Sequence, residues 1–293
     1  MNYKDVLMIA KNELSKLTTD TLEIIEIKKP SSIFYAKKLA KIVSKLSPLI
    51  GNLIEFSTVD TLNKFDWKGM GRWIRQDPAF PDALFQSNVI FPNPGIEIKA
   101  WFPLSTEITA RFKDSVTLFK NGNIDVALIA WIPEKIIWGK PKILDILVIS
   151  GESVARARDL HYHNPPYYIV IEPEDTSNRT SNLQQTNTNG YKLQEDKCNV
   201  EDAIKFVKEW NLPNRYYNSE QQYQSKLREL YGKFIYRLDT NYAKIDRIEH
   251  EEIEKFKTKV QSIQVYGKAI QQWSTIFNSK NETLLEKALA DIL

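Results

Sequence analysis

A mixed α/β fold, with a central sheet flanked by helices and helical N- and C-terminal parts, is what this sequence predicts, and three observations carry that reading. Two runs rich in Val, Ile and Leu, Ile124–Ile132 and Lys142–Ser150, have almost no polar interruption, as strands buried on both faces do. Residues 96–101 alternate instead. Ile96, Ile98 and Ala100 are interleaved with Glu97, Lys99 and Trp101, the two-residue period of a half-buried strand. On either side, residues 1–64 and the stretch from about Val200 to Leu293 repeat apolar residues at helical spacing.

Taken in order, Val6, Ile9, Ala10, Leu14 and Leu17 mark a first helix. Ser31 and Ser32 can cap a second one bearing Phe34, Leu39, Ile42, Val43 and Leu46. A third is expected from Ser47 as N-cap, with Pro48 at the first helical position, where its missing donor costs nothing. This helix should turn Leu49, Leu53 and Phe56 to the core and leave Glu55 beside that stripe. From Phe65 to Gln76 two glycines lie among basic and aromatic residues. Such a loop suits a nucleic-acid backbone, with Lys68, Arg72 and Arg75 on phosphates and Trp67 and Trp73 as anchors. A solvated basic turn is the bland alternative. Pro81 biases Phe80 toward extended backbone, and the turn at Pro92–Gly95 can fold the Asp82 segment back against Glu97 as a hairpin.

Beyond Lys99, Ser105 can cap a helix to about Phe119 that carries Arg111 and Lys113; directly after the strand bearing Glu97 and Lys99, it would pass close to a bound duplex, with Arg111 a candidate DNA contact. The two apolar strands follow, then a helix over Gly151–His163 crossing to a strand at Tyr167–Ile171. His161 and His163 stand at i and i+2 with no evident third ligand, so they read as turn or surface residues. Thr176–Tyr191 has one charge and a dense set of amides and hydroxyls. Asn and Gln can pair bidentately with adenine, and Arg with guanine. Asn178, Arg179, Asn182, Gln184, Gln185, Asn187 and Asn189 are therefore candidate base-reading residues, the alternative being a flexible polar linker. Three apolar stripes close the chain: Leu227, Leu230, Tyr231, Phe234, Ile235 and Leu238; Val260, Ile263, Tyr266, Ile270 and Trp273; and Leu284, Leu285, Ala288, Leu289 and Ile292. They suit helices that cover the sheet or build a dimer surface.

At 293 residues and 42% apolar content the chain can bury a sizeable core. The expected organisation is a single domain over 1–293, with an α/β core at 65–195 between helical parts at 1–64 and 196–293. Forty basic against thirty-seven acidic side chains leave a formal charge of +3, which permits DNA binding without arguing for it. The single cysteine, Cys198, excludes an internal disulfide and a cysteine-rich zinc site, as expected in a reducing cytoplasm. With only His161, His163 and His250, histidine-metal and Ser/His hydrolases have few residues to draw on. No membrane span or signal-peptide pattern is expected.

The chemistry concentrates at Asp82 and Glu97-Ile98-Lys99. Glu97 and Lys99 share a strand face roughly 6.6 Å apart, and the hairpin supplies Asp82 as a second carboxylate. Mg²⁺ takes hard oxygen ligands and keeps several waters, so one or two carboxylates plus a substrate phosphate suffice to bind it. The ion polarises a phosphoryl oxygen and lowers the pKa of bound water, while a lysine beside it orients that water or offsets developing charge. Glu/Asp-x-Lys occurs four times, at Glu26, Asp66, Glu97 and Glu195. Only the Glu97 copy combines strand alternation with an upstream Pro-Asp.

Pro81-Asp82 followed by Glu97-Ile98-Lys99 resembles the PD-(D/E)xK nucleases, and among them the type II restriction endonucleases. That resemblance implies a restriction-endonuclease-like fold and metal ligation by Asp82, Glu97 and the Ile98 carbonyl. It also implies that Glu55, an acid on the helix before the Pro-Asp segment, contributes to the metal centre as a further ligand and joins Asp82, Glu97 and Lys99 in catalysis. Mg²⁺ is the implied cofactor, with Mn²⁺ able to substitute. The implied activity is cleavage of double-stranded DNA at a short palindromic sequence by a homodimer, leaving 5′-phosphate ends, with a companion DNA methyltransferase in the cell. Two-fold symmetry of protein and site independently favours the dimer. Two alternatives stand beside it: a structure-selective repair or recombination nuclease, which has less use for an Asn/Gln-rich loop, and a non-enzymatic DNA-binding protein in which Asp82, Glu97 and Lys99 form a structural ion pair.

Overall fold

The first helix, α1 (Tyr3–Ser15), opens on a capping box in which Asn2 Oδ1 accepts the N–H groups of Lys4 and Asp5 and the Asp5 carboxylate accepts the Asn2 N–H. The computed structural model describes residues 1–104, 119–162, 168–172, 190–194, 199–210, 225, 229, 237–238 and 248–293. In α2 (Ile33–Ile42), Ser32 caps the Tyr35 N–H as expected. Its buried face, however, is Ala36 and Ala40, while Phe34 and Ile42 are exposed. In α3 (Ser47–Lys64) a preceding 3₁₀ turn, Val43–Leu46, places Leu46 rather than Ser47 at the cap, without a side-chain cap bond. The buried stripe is Ile50, Ile54, Thr58, Val59 and Leu62, so the helix is rotated from the expected one. Leu49 and Phe56 face solvent.

The sheet follows. It comprises β1 (Arg72–Arg75), β2 (Ala83–Gln86), β3 (Gly95–Trp101), β4 (Ile124–Pro133) and β5 (Pro141–Ser150), paired in that order. β3 and β4 run parallel and every other pair is antiparallel, which makes the sheet mixed. A parallel pair needs a long crossover. The helix expected there, bearing Arg111 and Lys113, falls on residues 105–118, outside the described residues. β4 lies between β3 and β5 and is almost wholly buried, as its apolar run predicts. β3 departs from expectation. It is covered on both faces, with Glu97 only 7% exposed, because α3 packs against it.

Contacts divide the chain into two compact units, one of Met1–Thr109, Thr117–Val154 and His250–Leu293, the other of Ala110–Val116 and Ala155–Glu249. The expected core at 65–195 contributes to both. α4 (Gly151–Tyr162) forms where expected. The strand after it is β6 (Tyr168–Glu172), and it pairs in a separate sheet, parallel to β7 (Gly190–Gln194), which is antiparallel to β8 (Arg237–Leu238). The central sheet therefore lacks the strand expected at Tyr167–Ile171, and Leu238, expected on a helix, is in a strand. Between β7 and β8, α5 (Val200–Trp210) is strongly amphipathic.

The second C-terminal stripe is likewise broken. α6 (Glu251–Ser262) and α7 (Ile270–Asn278) are separated by a hairpin of β9 (Gln264–Val265) and β10 (Lys268–Ala269). Tyr266 and Gly267 both have positive φ, 51° and 71°, the requirement of a two-residue hairpin turn that helical spacing conceals. Within the first unit these helices cover the sheet. Lys259 of α6 pairs with the buried Asp145 of β5 at 2.8 Å, and Ser274 and Asn278 of α7 both donate to the Leu104 carbonyl. The last helix, α8 (Glu282–Ala290), meets α2 through Lys37 and Lys41 on Glu282 and Glu286, joining the two ends of the chain. Among the described residues no helix is long and apolar enough to cross a membrane.

Candidate metal centre

Pairing of β2 with β3 sets Ala83 against Ile96 and Leu84 against Gly95, so Asp82, the residue before β2, comes opposite Glu97. The expected hairpin is present. Its connection is held by Ser87, whose hydroxyl accepts the Val89 and Ile90 N–H groups and donates to the Met70 carbonyl, and by Asn123, whose amide donates to the Asn93 carbonyl. Gly95 has no room for a side chain, since a Cβ there would lie 2.3 Å from the Pro81 ring. The Pro-Asp segment thus rests directly on the start of β3.

Two backbone donors fix the carboxylates. Ile98 N–H donates to Asp82 Oδ2 at 2.6 Å, and Asp82 N–H donates to Glu97 Oε2 at 3.3 Å. Around the Lys99 ammonium stand Glu97 Oε1 at 2.5 Å, the Ile98 carbonyl at 3.0 Å and Asp82 Oδ2 at 3.6 Å. Those three oxygens are among the donors that the resemblance implies for a metal, Glu55 being the fourth, and the three converge on one cation. Burial raises the Glu97 carboxyl above its ordinary value; Lys99 pulls it down, and the Asp82 charge pushes it up.

Glu55 reaches the edge of this centre. Its carboxyl is raised by burial and feels the charges of Asp82 and Lys99, yet its direct partner is Arg75. Arg75 Nε donates to Glu55 Oε2 at 2.9 Å, and Arg75 Nη2 meets Glu55 Oε2 at 2.7 Å, Asn52 Oδ1 at 2.7 Å and Asp77 Oδ2 at 3.0 Å. The guanidinium also lies over the Phe56 ring. Sequence reasoning assigned Arg75 to a phosphate and missed this network. Its one signal was the alternation that puts Arg75 on the same strand face as the buried Trp73.

The remaining expected contacts divide clearly. Trp67 and Trp73 are buried and pack at tilted angles against Phe85, anchoring the Gly-rich segment as expected, although its second half is strand β1. Lys68 and Arg72 are exposed, and neither side chain meets a carboxylate among the described residues. Arg111, Asn178, Arg179, Asn182, Gln184, Gln185, Asn187 and Asn189 lie outside the described residues, as do His163 and the side chain of His161.

No family model, curated protein or solved structure matches this chain. The donor set must therefore be judged on its own chemistry. Two carboxylates and a carbonyl are hard oxygens of the type Mg²⁺ takes, and their shared focus on an ammonium fits a cation site. Among the described residues no group of three or more His, Cys, Asp and Glu side chains gathers as a metal cluster. The third oxygen here is backbone, and Glu55 is turned to Arg75.

Proposed function

We propose that this chain is a Mg²⁺-dependent nuclease of the PD-(D/E)xK kind, with a restriction-endonuclease-like fold, that cuts double-stranded DNA at a short specific sequence as type II restriction endonucleases do. The observation carrying the reading is the convergence of Asp82, Glu97 and the Ile98 carbonyl on the Lys99 ammonium. Asp82, Glu97 and Ile98 would hold Mg²⁺, or Mn²⁺ in its place. Such an ion, when bound, polarises the phosphoryl oxygen and lowers the pKa of its water.

The chain's own residues do the rest. Lys99 donates a hydrogen bond to the attacking oxygen or to the non-bridging oxygens as they gain charge, and its tether to the metal strand keeps that donor within reach. Ile98 N–H orients Asp82, and Asp82 N–H orients Glu97, so the two acids are positioned before substrate arrives. Glu55 adds negative charge at the rim while Arg75 limits its movement. A homodimer acting on a palindrome, 5′-phosphate ends, a cytoplasmic setting and a companion methyltransferase belong to the same reading.

One observation favours a second reading. Lys99 already satisfies both carboxylates, which suits a purely structural ion pair in a DNA-binding protein. Incubation with plasmid DNA and, in parallel, with branched and mismatched duplexes in Mg²⁺, followed by sequencing of fragment ends, separates them. Discrete fragments sharing a motif support the restriction enzyme, cuts confined to branched or mismatched DNA support the structure-selective alternative, and inert DNA supports the ion pair.

A further inference from the structure

Alternation along β2 puts Asp82, Leu84 and Gln86 on one face of the β1–β2 ribbon, the face opposite the buried Ala83 and Phe85. Cross-strand register sets Arg72 directly against Gln86 and Ile74 against Leu84. This face therefore runs from the candidate metal centre, past two half-buried aliphatic residues, to an exposed pair of cation and amide. At that far end lies a groove of about 470 Å³ lined by Gly69, Met70, Gly71, Arg72 and Gln86–Val89.

The lining carries a positive charge and no carboxylate. Lys68 is exposed beside it, and the side chains of Lys68, Arg72, Gln86 and Asn88 make no hydrogen bond or ion pair among the described residues. Arg75, on the opposite face, is fully engaged. One wall has no side chain at Gly69, where a Cβ would meet nothing within 4 Å, so a ligand can approach the backbone closely. On the other wall Val89 is 70% exposed, and Phe91, two residues further along the same connection and outside the lining, is 72% exposed; the Ser87 hydroxyl accepts the Val89 and Ile90 N–H groups. Holding such apolar groups in water has a cost that a partner would relieve.

We propose that this groove reads base edges of the duplex, with Gln86 and Asn88 as sequence-determining residues and Arg72 beside them, an inference that rests on the nuclease reading. Strand spacing puts Gln86 roughly 13 Å from Asp82. At about 3.4 Å per step, the base pairs it reaches lie about four steps from the cleaved phosphate. Unpaired amides and a guanidinium are the side chains that read adenine and guanine bidentately, and charge complementarity favours anionic DNA over a basic or neutral partner. The apolar tips of Val89 and Phe91 fit against thymine methyls or an opened base step.

The test is cleavage of a randomised duplex library in Mg²⁺ by the wild type and by Gln86→Ala and Asn88→Ala, with sequencing of the cut ends. The expected result is a wild-type consensus in which one position, three to five base pairs from the cut, loses its preference by about five- to two-hundred-fold in a variant. Other positions should keep theirs. A wild type that cuts with a consensus that both variants reproduce overturns the groove's role and leaves the nuclease standing. A wild type that cuts nothing overturns both.

Discussion

In the proposed nuclease Lys99 occupies the position on which the chemistry turns, because the oxygens around it include the three that would hold a divalent cation. Asp82→Ala and Glu97→Ala should each reduce cleavage to a few per cent of wild type or less, since both acids act through the ion. Lys99→Ala should be nearly as damaging, yet duplex binding in Ca²⁺ should persist because the carboxylates remain; gel shifts in Ca²⁺ that show lost binding would make Lys99 an anchor for DNA or for the fold. Arg75 and Arg72 differ sharply despite equal promise in the sequence. Arg75→Ala leaves Glu55 half-buried without its partner and should cost about 1–3 kcal/mol, whereas Arg72→Ala should stay within about 0.5 kcal/mol, as urea unfolding can check. Asp125 gives a pH signature. Burial lifts its carboxyl from 3.8 to about 6 against the pull of Lys11. A raised acid binds its proton more tightly in the folded chain, so its contribution favours folding at low pH and is lost as pH rises from about 3.8 to about 6. Asp125→Asn should therefore flatten stability across that window and raise it at pH 8 by about 1–2 kcal/mol. A variant less stable than wild type at pH 8 would refute this.

At the scale of elements, the β2–β3 hairpin is what makes a site out of separate residues. Its weak point is Gly95, where a methyl group would fall 2.3 Å from Pro81 and 3.2 Å from the Ala83 carbonyl. Gly95→Ala should cost about 1–3 kcal/mol through overpacking. Its larger effect should be on cleavage, because moving Pro81 moves Asp82 off Glu97. At Gly69 no neighbour is met and only the positive φ of 70° opposes a side chain, so Gly69→Ala should cost about 1 kcal/mol and spare the metal centre. Comparing melting temperature with cleavage rate for the two variants distinguishes a displaced site from a merely weakened fold; equal ratios of activity to stability would contradict the hairpin's role.

Across the whole molecule, β4 and β5 were legible because their apolar runs have few polar interruptions, and the hairpin because turn residues separate Asp82 from Glu97. Helix faces were less so. In α3 apolar residues occur nearly all round, so Leu49 and Phe56 were indistinguishable in sequence from Ile50 and Ile54, and only packing against β3 and β1 decides. Sheet membership was illegible too, since the composition of β6 does not record that it pairs with β7. The break between α6 and α7 turned on positive φ at Tyr266, a conformation with no side-chain signature for tyrosine. Within the site, the residue types were visible but not their partners: Arg75 reads as a phosphate ligand until Glu55 is seen beside it. The most direct measurement of the central claim is conversion of supercoiled plasmid to linear DNA by wild type, Asp82→Ala and Glu97→Ala, each with Mg²⁺ and with EDTA. Linear product with 5′-phosphate ends from the wild type in Mg²⁺ alone is the expected result. Equal conversion by either variant, or none by the wild type, would contradict it.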